Sequence, residues 1–351
     1  GQDENQGQLS SVEAPLGGAS SFGGGSSFGG AAGFDKDLNA IEPGLESLSM
    51  TLAGEYPADV SRYILASNQG AALVRISPDG KTLAFLWSIT GKQQIWTISS
   101  ESGSTNTRSQ PKQITFGNGV YSFSWSPDGN WIFYSADNNG DEQQAYYQIS
   151  LDGNTEEELL PSANGGFRRF GAFVDNKTIA FASTERNGLD FDIYIADLKS
   201  KELKRVYDGK YGFFVNSASP DGRYLTVYEA VGEDSDNLYL FDLVRQKMLS
   251  ISQPERRANH HDAGVTWSPD SKGFYLASNL DKNFSALMYY SLEKGFTAVH
   301  QGQGDIEKVL LCGEQSNYLI WSENDGGYSR LKGKDLLTGE AFTAPEFAQG
   351  L

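Results

Sequence analysis

The sequence predicts an all-β fold, namely a β-propeller of four-stranded blades. Three observations lead to this fold class. One β-hairpin with the same turn sequence recurs along the chain, its copies are evenly spaced, and each period holds enough strand-like runs for four strands. A repeat of roughly 40–50 residues made of short strands is typical of propeller blades.

The recurring hairpin is clearest at residues 124–134. A short strand there runs into Ser126-Pro127-Asp128-Gly129 and continues as a run of aromatic and β-branched residues. Proline presets φ for a turn, the aspartate side chain can hydrogen-bond the turn backbone, and glycine permits a positive φ. Two such runs around a short turn predict a β-hairpin.

Five further copies of this hairpin follow the same design. Three carry Ser-Pro-Asp at residues 77–79, 219–221 and 268–270, and two degenerate copies surround Asp175 and Gln315. Successive turns are 45 to 49 residues apart. The alternative of a β-sandwich with accidental regularity is disfavoured, because sandwiches do not repeat one turn at a fixed distance.

The second half of each period supplies two more strands. A strand that ends in an acidic turn comes first, as at residues 94–98, 192–198 and 237–243, and a more polar strand follows, as at 112–116 and 203–207. Four strands make one blade, and such blades gain their core by stacking in a ring. We therefore predict a propeller over residues 69–351, with six blades near 70–117, 118–165, 166–210, 211–255, 260–302 and 303–345.

The first 68 residues differ from the repeats. Residues 1–35 contain a Gly/Ser tract that cannot bury enough apolar area to offset chain entropy, so we predict a disordered tether. Residues 36–68 include apolar side chains such as Leu38, Ile41, Leu45 and Leu48. We expect this segment to pack on the ring, with a short strand at residues 63–66.

Composition excludes several classes of function. The chain has 28 Lys and Arg against 45 Asp and Glu, a net charge of −17, which argues against a nucleic-acid partner. The single cysteine, Cys312, rules out an internal disulfide framework and a cysteine-based metal site, and its apolar strand predicts that it is buried. No apolar run is long enough to span a membrane. A start at Gly1 fits a mature secreted or trimmed chain, so we expect a soluble periplasmic or secreted protein.

Several longer strings resemble the N-terminal β-propeller of the prolyl-oligopeptidase (S9) family of serine peptidases, which includes dipeptidyl- and acylaminoacyl-peptidases. The similarity covers roughly residues 60–345, and the strings that carry it are 76–80, 94–96, 113–117, 121–129, 165–171, 183–194 and 324–331. Ser-Pro-Asp-Gly repeats alone are less specific, because TolB-type propellers share them. The order of the longer strings discriminates better.

The resemblance implies a seven-bladed propeller that caps an α/β-hydrolase domain and admits only short peptides. Two departures stand out: about six blades precede Leu351, and the hydrolase signature Gly-x-Ser-x-Gly is absent from these residues. A ring that lacks one blade is expected either to close as six or to stay open with apolar strand faces exposed.

No catalytic residue, cofactor site or metal site is assigned from the sequence. His260 and His261 lie in a loop before a strand, and His300 ends a strand, so we expect surface roles for all three. Adjacent histidines usually point in opposite directions, which disfavours joint ligation. The acidic runs 156–158 and 233–236 lack the spacing of a calcium loop and are predicted to be solvated turns.

Arg168 and Arg169 precede an inner strand and are the candidate substrate contacts. An arginine facing the central channel or the hydrolase side could pair bidentately with a substrate carboxylate. The competing interpretation is a structural pair with an acidic residue of a neighbouring blade.

Three functions remain open from the sequence. The first is a non-catalytic cap of an S9-type serine peptidase, which gates oligopeptide substrates and docks a missing α/β-hydrolase domain. The second is a stand-alone TolB-like propeller that binds a partner protein. The third, an enzyme that acts within the propeller itself, is supported by no constellation of residues.

Overall fold

A computed structural model describes residues 71–100, 110–137, 140–163, 165–313, 315–342 and 344. These residues form 23 β-strands and no helix. The strands group into six antiparallel sheets in which consecutive strands pair side by side. The predicted all-β, six-bladed propeller is thus confirmed. The seventh blade of the family form is not found among the described residues, and the predicted tether and packing segment lie outside them.

The first three blades have four strands each. Blade 1 consists of β1 (Ala72–Ile76), β2 (Thr82–Trp87), β3 (Gln94–Ser99) and β4 (Lys112–Gln113). Blade 2 consists of β5 (Ser122–Trp125), β6 (Trp131–Ala136), β7 (Ala145–Ser150) and β8 (Glu156–Leu160). Blade 3 consists of β9 (Arg168–Phe173), β10 (Thr178–Ser183), β11 (Phe191–Asp197) and β12 (Leu203–Lys210).

The next two blades repeat this order, and the last has three strands. Blade 4 consists of β13 (Phe213–Ala218), β14 (Tyr224–Ala230), β15 (Asp236–Asp242) and β16 (Lys247–Ser250). Blade 5 consists of β17 (Thr266–Trp267), β18 (Gly273–Ser278), β19 (Ala286–Ser291) and β20 (Gly295–His300). Blade 6 consists of β21 (Ile306–Cys312), β22 (Tyr318–Asp325) and β23 (Tyr328–Asp335), and a bridge from Lys334 to Ala341 extends its outer edge.

Side chains of the turn explain why the Ser-Pro-Asp-Gly hairpins form. In blade 2, the Ser126 hydroxyl donates to the Asp128 carboxylate at 2.6 Å and accepts the Trp131 N–H. Asp128 also accepts the Asn130 N–H, and Gly129 takes a φ of 72°. These hydrogen bonds hold the pKa of Asp128 below its usual value. The turn is thus fixed by hydrogen bonds between its own residues and needs no contact with another blade.

The core consists of apolar clusters between successive blades. Each cluster combines one side of a sheet with the facing side of the next, and together the five clusters join blades 1–2, 2–3, 3–4, 4–5 and 5–6. First strands of neighbouring blades also contact each other in three places, β1 with β5, β9 with β13 and β17 with β21, which places these strands nearest the axis. Among the described residues, no buried apolar cluster joins blade 6 to blade 1.

Strand order gives the propeller two distinct faces. Because each blade is an antiparallel meander, the turn after its second strand and the crossing to the next blade lie at one end. We call this end the crossover face. The opposite end carries the Ser-Pro-Asp turns, and we call it the hairpin face.

Candidate functional site

The crossover face carries most of the exposed apolar residues found in loops. Of the eighteen exposed large apolar side chains among the described residues, nine lie in its turns or directly beside them. They are Ile89, Phe116, Tyr121, Phe167, Leu189, Tyr211, Val231, Phe284 and Tyr328. Five hold equivalent positions at the described part of the hairpin face, namely Ile76, Leu203, Val244, Tyr318 and Leu337. Exposed apolar side chains gathered at one face make that face a candidate contact surface for another molecule.

Arg168, the first of the two candidate arginines, is held inside blade 3. Its side chain is buried, its Nε lies 2.9 Å from Glu185 Oε1, and its terminal nitrogens bond Glu185 and the Pro161 carbonyl. The guanidinium also lies over the Phe181 ring at 5.5 Å. The predicted structural pairing does occur, but with an acid of the same blade, because the β10–β11 turn folds back beside β9.

Arg169 is placed differently at the same end of β9. It is half-buried, and its guanidinium lies 4.3 Å from the centre of the Phe214 ring and 6.0 Å from that of Tyr228. Both rings belong to blade 4. No carboxylate of the described residues forms a salt bridge with Arg169. The aromatic rings therefore hold a cation at the crossover face that can still donate hydrogen bonds to an anionic or carbonyl oxygen.

The predicted surface role of His260 and His261 is wrong. Both are buried, and their Nδ1 atoms lie 3.1 Å and 2.6 Å from the two carboxylate oxygens of Asp236. The His260 N–H also donates to Asp236 at 2.8 Å. The loop turns between the two residues, so adjacent histidines reach one carboxylate from different directions. We call this group the Asp236 cluster.

Electrostatics at the Asp236 cluster favour an ionised carboxylate. Burial by itself would raise the pKa of Asp236, but hydrogen bonds from His260 and His261 outweigh it and bring the pKa to about 2. The run 233–236 is therefore only partly a solvated turn: Glu233 and Asp234 are exposed, whereas Ser235 and Asp236 are buried. Sequence reasoning missed this role because Asp236 and His260 lie 24 residues apart in the chain.

The Asp236 cluster is linked to Arg169 through stacked rings. His261 stacks on Tyr228 with ring centres 4.0 Å apart and planes inclined by 20°. Tyr228 in turn faces the Arg169 guanidinium. Burial raises the pKa of Tyr228, so its hydroxyl stays protonated at neutral pH. Residues of blades 3, 4 and 5 thus combine to position one arginine.

The other predicted surface groups are also more structured than expected. His300 is half-buried, and its Nε2 lies 2.9 Å from Glu323 Oε2, which also accepts from Lys332. Burial would raise the pKa of Glu323, but the bonds from Lys332 and His300 lower it overall. Residues Glu156–Glu158 are exposed as predicted, yet they lie in strand β8 rather than in a turn.

Among the residues that the structure describes, no group of three or more His, Cys, Asp and Glu side chains is arranged to hold a metal ion. No helix in this part of the chain is long and apolar enough to cross a membrane.

Residues 58–171 match a family model described as the dipeptidyl peptidase IV (DPP IV) N-terminal region. Dipeptidyl aminopeptidase BIII of Pseudoxanthomonas mexicana is 28% identical over 144 residues, which are 40% of this chain and 20% of that protein. Dipeptidyl-peptidase 5 of Porphyromonas gingivalis is 28% identical over 152 residues, 40% of this chain and 22% of that protein. The matched part thus spans about a fifth of each relative.

Solved structures share the fold at low sequence identity. A prolyl endopeptidase has a TM-score of 0.60 at 13% identity, covering 88% of this chain and 48% of the other. The β-propeller domain of the trilobed protease of Pyrococcus furiosus is described as having an open velcro topology. It has a TM-score of 0.58 at 17% identity, and the match covers 80% of this chain and 85% of that domain. TolB of Acinetobacter baumannii has a TM-score of 0.50 at 17% identity, and the match covers 75% of this chain and 60% of TolB.

Proposed function

We propose that this N-terminal β-propeller of the S9 type is the non-catalytic part of a serine peptidase that acts on oligopeptides. The match to the dipeptidyl peptidase region and the two dipeptidyl-peptidase relatives support the S9 assignment. In this proposal an α/β-hydrolase domain, outside the 351 residues, carries the nucleophile. The propeller docks on it, limits the size of the substrates that enter, and breaks no bond itself.

The observation that carries this proposal is the composition of the crossover face. Exposed apolar side chains from all six blades lie there, together with Arg169, which forms no salt bridge with a described carboxylate. Exposed apolar residues on the crossover face are suited to docking a second domain. An arginine held between that domain and the propeller is suited to bind the carboxylate or a carbonyl of a peptide.

Of the two candidate contacts, Arg169 is therefore the one we propose to touch substrate. Arg168 already satisfies its donors with Glu185 and the Pro161 carbonyl. We propose that it acts on the site only by shaping the start of β9. The periplasmic or secreted location stays a prediction.

Substitution of Arg169 in the full-length gene product tests this function. Arg169→Met keeps the length of the side chain over Phe214 but removes the charge. We expect KM for short peptide substrates to rise about tenfold, as for the loss of one charge-assisted hydrogen bond. The value of kcat should change little, because the residue lies away from the nucleophile.

The control is Arg205→Met, which removes an exposed arginine of blade 3 that pairs with Asp208. It should leave KM unchanged. Equal KM values for Arg169→Met and the unmodified enzyme would exclude the substrate contact.

A stand-alone propeller that binds a protein partner is the second candidate function. The fold likeness to TolB and the apolar crossover face favour it. The coding sequence after Leu351 distinguishes the two: a hydrolase domain with Gly-x-Ser-x-Gly supports the peptidase, and a stop codon supports the binding module.

A further inference from the structure

Two sides of the blade array lack a neighbouring blade. Blades 2 to 5 each bury both sides of their sheet against the adjacent blades. Among the described residues, blade 1 joins a buried apolar cluster only on the side that faces blade 2, and blade 6 only on the side that faces blade 5. The other side of each sheet faces the position between blades 6 and 1.

The side of blade 1 that faces away from blade 2 is apolar. Ala84, Leu86 and Ile95 point into the cluster with blade 2, so the alternating residues of the same strands point away from it. These residues are Leu83, Phe85, Trp87, Trp96 and Ile98, with Ile76 joining them through its pairing with Leu83.

Two features of this side indicate that it is incomplete. Val74 and Ile76 are more than half exposed. The indole N–H of Trp96 is buried and has no hydrogen-bond acceptor among the described residues. An additional segment would cover Val74 and Ile76, and its backbone could supply a carbonyl acceptor to the Trp96 indole.

The side of blade 6 that faces away from blade 5 is apolar as well. Leu319 and Trp321 point into the cluster with blade 5, which leaves Leu310, Cys312, Tyr318 and Ile320 on the opposite side. Leu310 is 55% exposed. The only cysteine of the chain therefore lies on this side, where it is partly exposed rather than buried as predicted.

We propose that residues 36–68 of this chain cover these two apolar sides. The segment is joined to β1 by three residues, so it starts beside the surface that it would cover. It contains Leu38, Ile41, Leu45, Leu48, Met50 and Leu52, followed by Tyr63-Ile64-Leu65. The match to the dipeptidyl peptidase region begins at residue 58, which assigns the end of this segment to the same domain as the blades.

The length of the segment is also sufficient. Thirty-three residues can extend over roughly 100 Å, far more than the width of two sheets. Because it is part of the same chain, its effective concentration at the surface exceeds that of any separate partner. Residues 1–35 are richer in Gly and Ser and carry fewer large apolar side chains, which are Leu9, Val12, Leu16, Phe22, Phe28 and Phe34.

Thiol labelling of Cys312 tests the proposal without any activity assay. Burial raises the pKa of this thiol, so the reaction is followed at about pH 8.5 with a coloured disulfide reagent. We expect slow labelling in the full chain and in a chain that lacks residues 1–35. A chain that lacks residues 1–68 should react at least tenfold faster, with its β-sheet circular dichroism unchanged.

Single substitutions keep the test valid if the longer deletion does not fold. Leu65→Asp should speed labelling of Cys312 several-fold, whereas the matched Ser67→Asp should not. Equal rates in all variants would overturn the proposal. A rate that falls with rising protein concentration would also overturn it, since that result means that a second copy covers the surface.

Discussion

Replacement of Asp236 by alanine is expected to lower the free energy of unfolding by about 3 kcal/mol or more. The carboxylate is buried and accepts hydrogen bonds from two histidine rings and one backbone N–H. Its removal leaves three buried donors without an acceptor, and each such donor costs about 1–3 kcal/mol. Urea unfolding of the whole chain, followed by intrinsic fluorescence, measures the loss.

The matched control for Asp236→Ala is Asp234→Ala. Asp234 lies two residues away and pairs with Arg257, but both side chains are exposed. Its removal should change stability by less than about 1 kcal/mol. Equal effects of the two substitutions would contradict the structural role of the Asp236 cluster.

The Asp236 carboxylate also makes the free energy of unfolding depend on pH. The pKa of Asp236 is about 2 in the folded chain and 3.8 in the reference state. A lowered pKa contributes stability above the unfolded value and loses it as the pH falls through the folded value. Stability should therefore decrease between about pH 4 and pH 2, and this decrease should be smaller in Asp236→Ala.

Two charges placed on the crossover face are expected to reduce peptide hydrolysis by the full-length gene product at least a hundredfold. Phe116→Asp and Tyr211→Asp alter residues that are 78% and 65% exposed, so the fold of the propeller is preserved. If the hydrolase domain docks here, both carboxylates become buried at an apolar interface without a partner. Such burial costs several kcal/mol, which is enough to separate the domains.

The hairpin face provides a closely matched control. Val244→Asp and Leu337→Asp introduce the same two charges at residues that are 76% and 70% exposed. Hydrolysis should be unchanged in this variant. Loss of activity in both variants, or in neither, would exclude docking through the crossover face.

The turns explain how much of the fold can be predicted from sequence. Ser126, Asp128 and Gly129 fix their hairpin with bonds that span no more than five residues. Because these bonds join residues that are close in sequence, the recurring turn motif is enough to predict the repeat and the six blades. The same bonds form at Ser150-Leu151-Asp152-Gly153, a turn without proline that sequence analysis did not single out.

The site could not be predicted in the same way. Asp236 meets His260 and His261 only because blades 4 and 5 pack together, and Arg169 meets Phe214 and Tyr228 only because blades 3 and 4 do. Arg168 and Arg169 have the same type and adjacent positions, yet one is buried in an ion pair and the other stacks on a neighbouring blade. Neighbours in space decide these roles, and no local pattern encodes them.

The most direct test of the central claim is a hydrolysis assay on the 351-residue chain by itself. Dipeptidyl and aminoacyl nitroanilides are offered to this chain and, in parallel, to the full-length gene product, in which we propose an α/β-hydrolase domain. The account predicts no turnover by the chain and clear turnover by the longer product. Turnover by the purified chain alone would contradict it, because the propeller would then hold bond-breaking residues of its own.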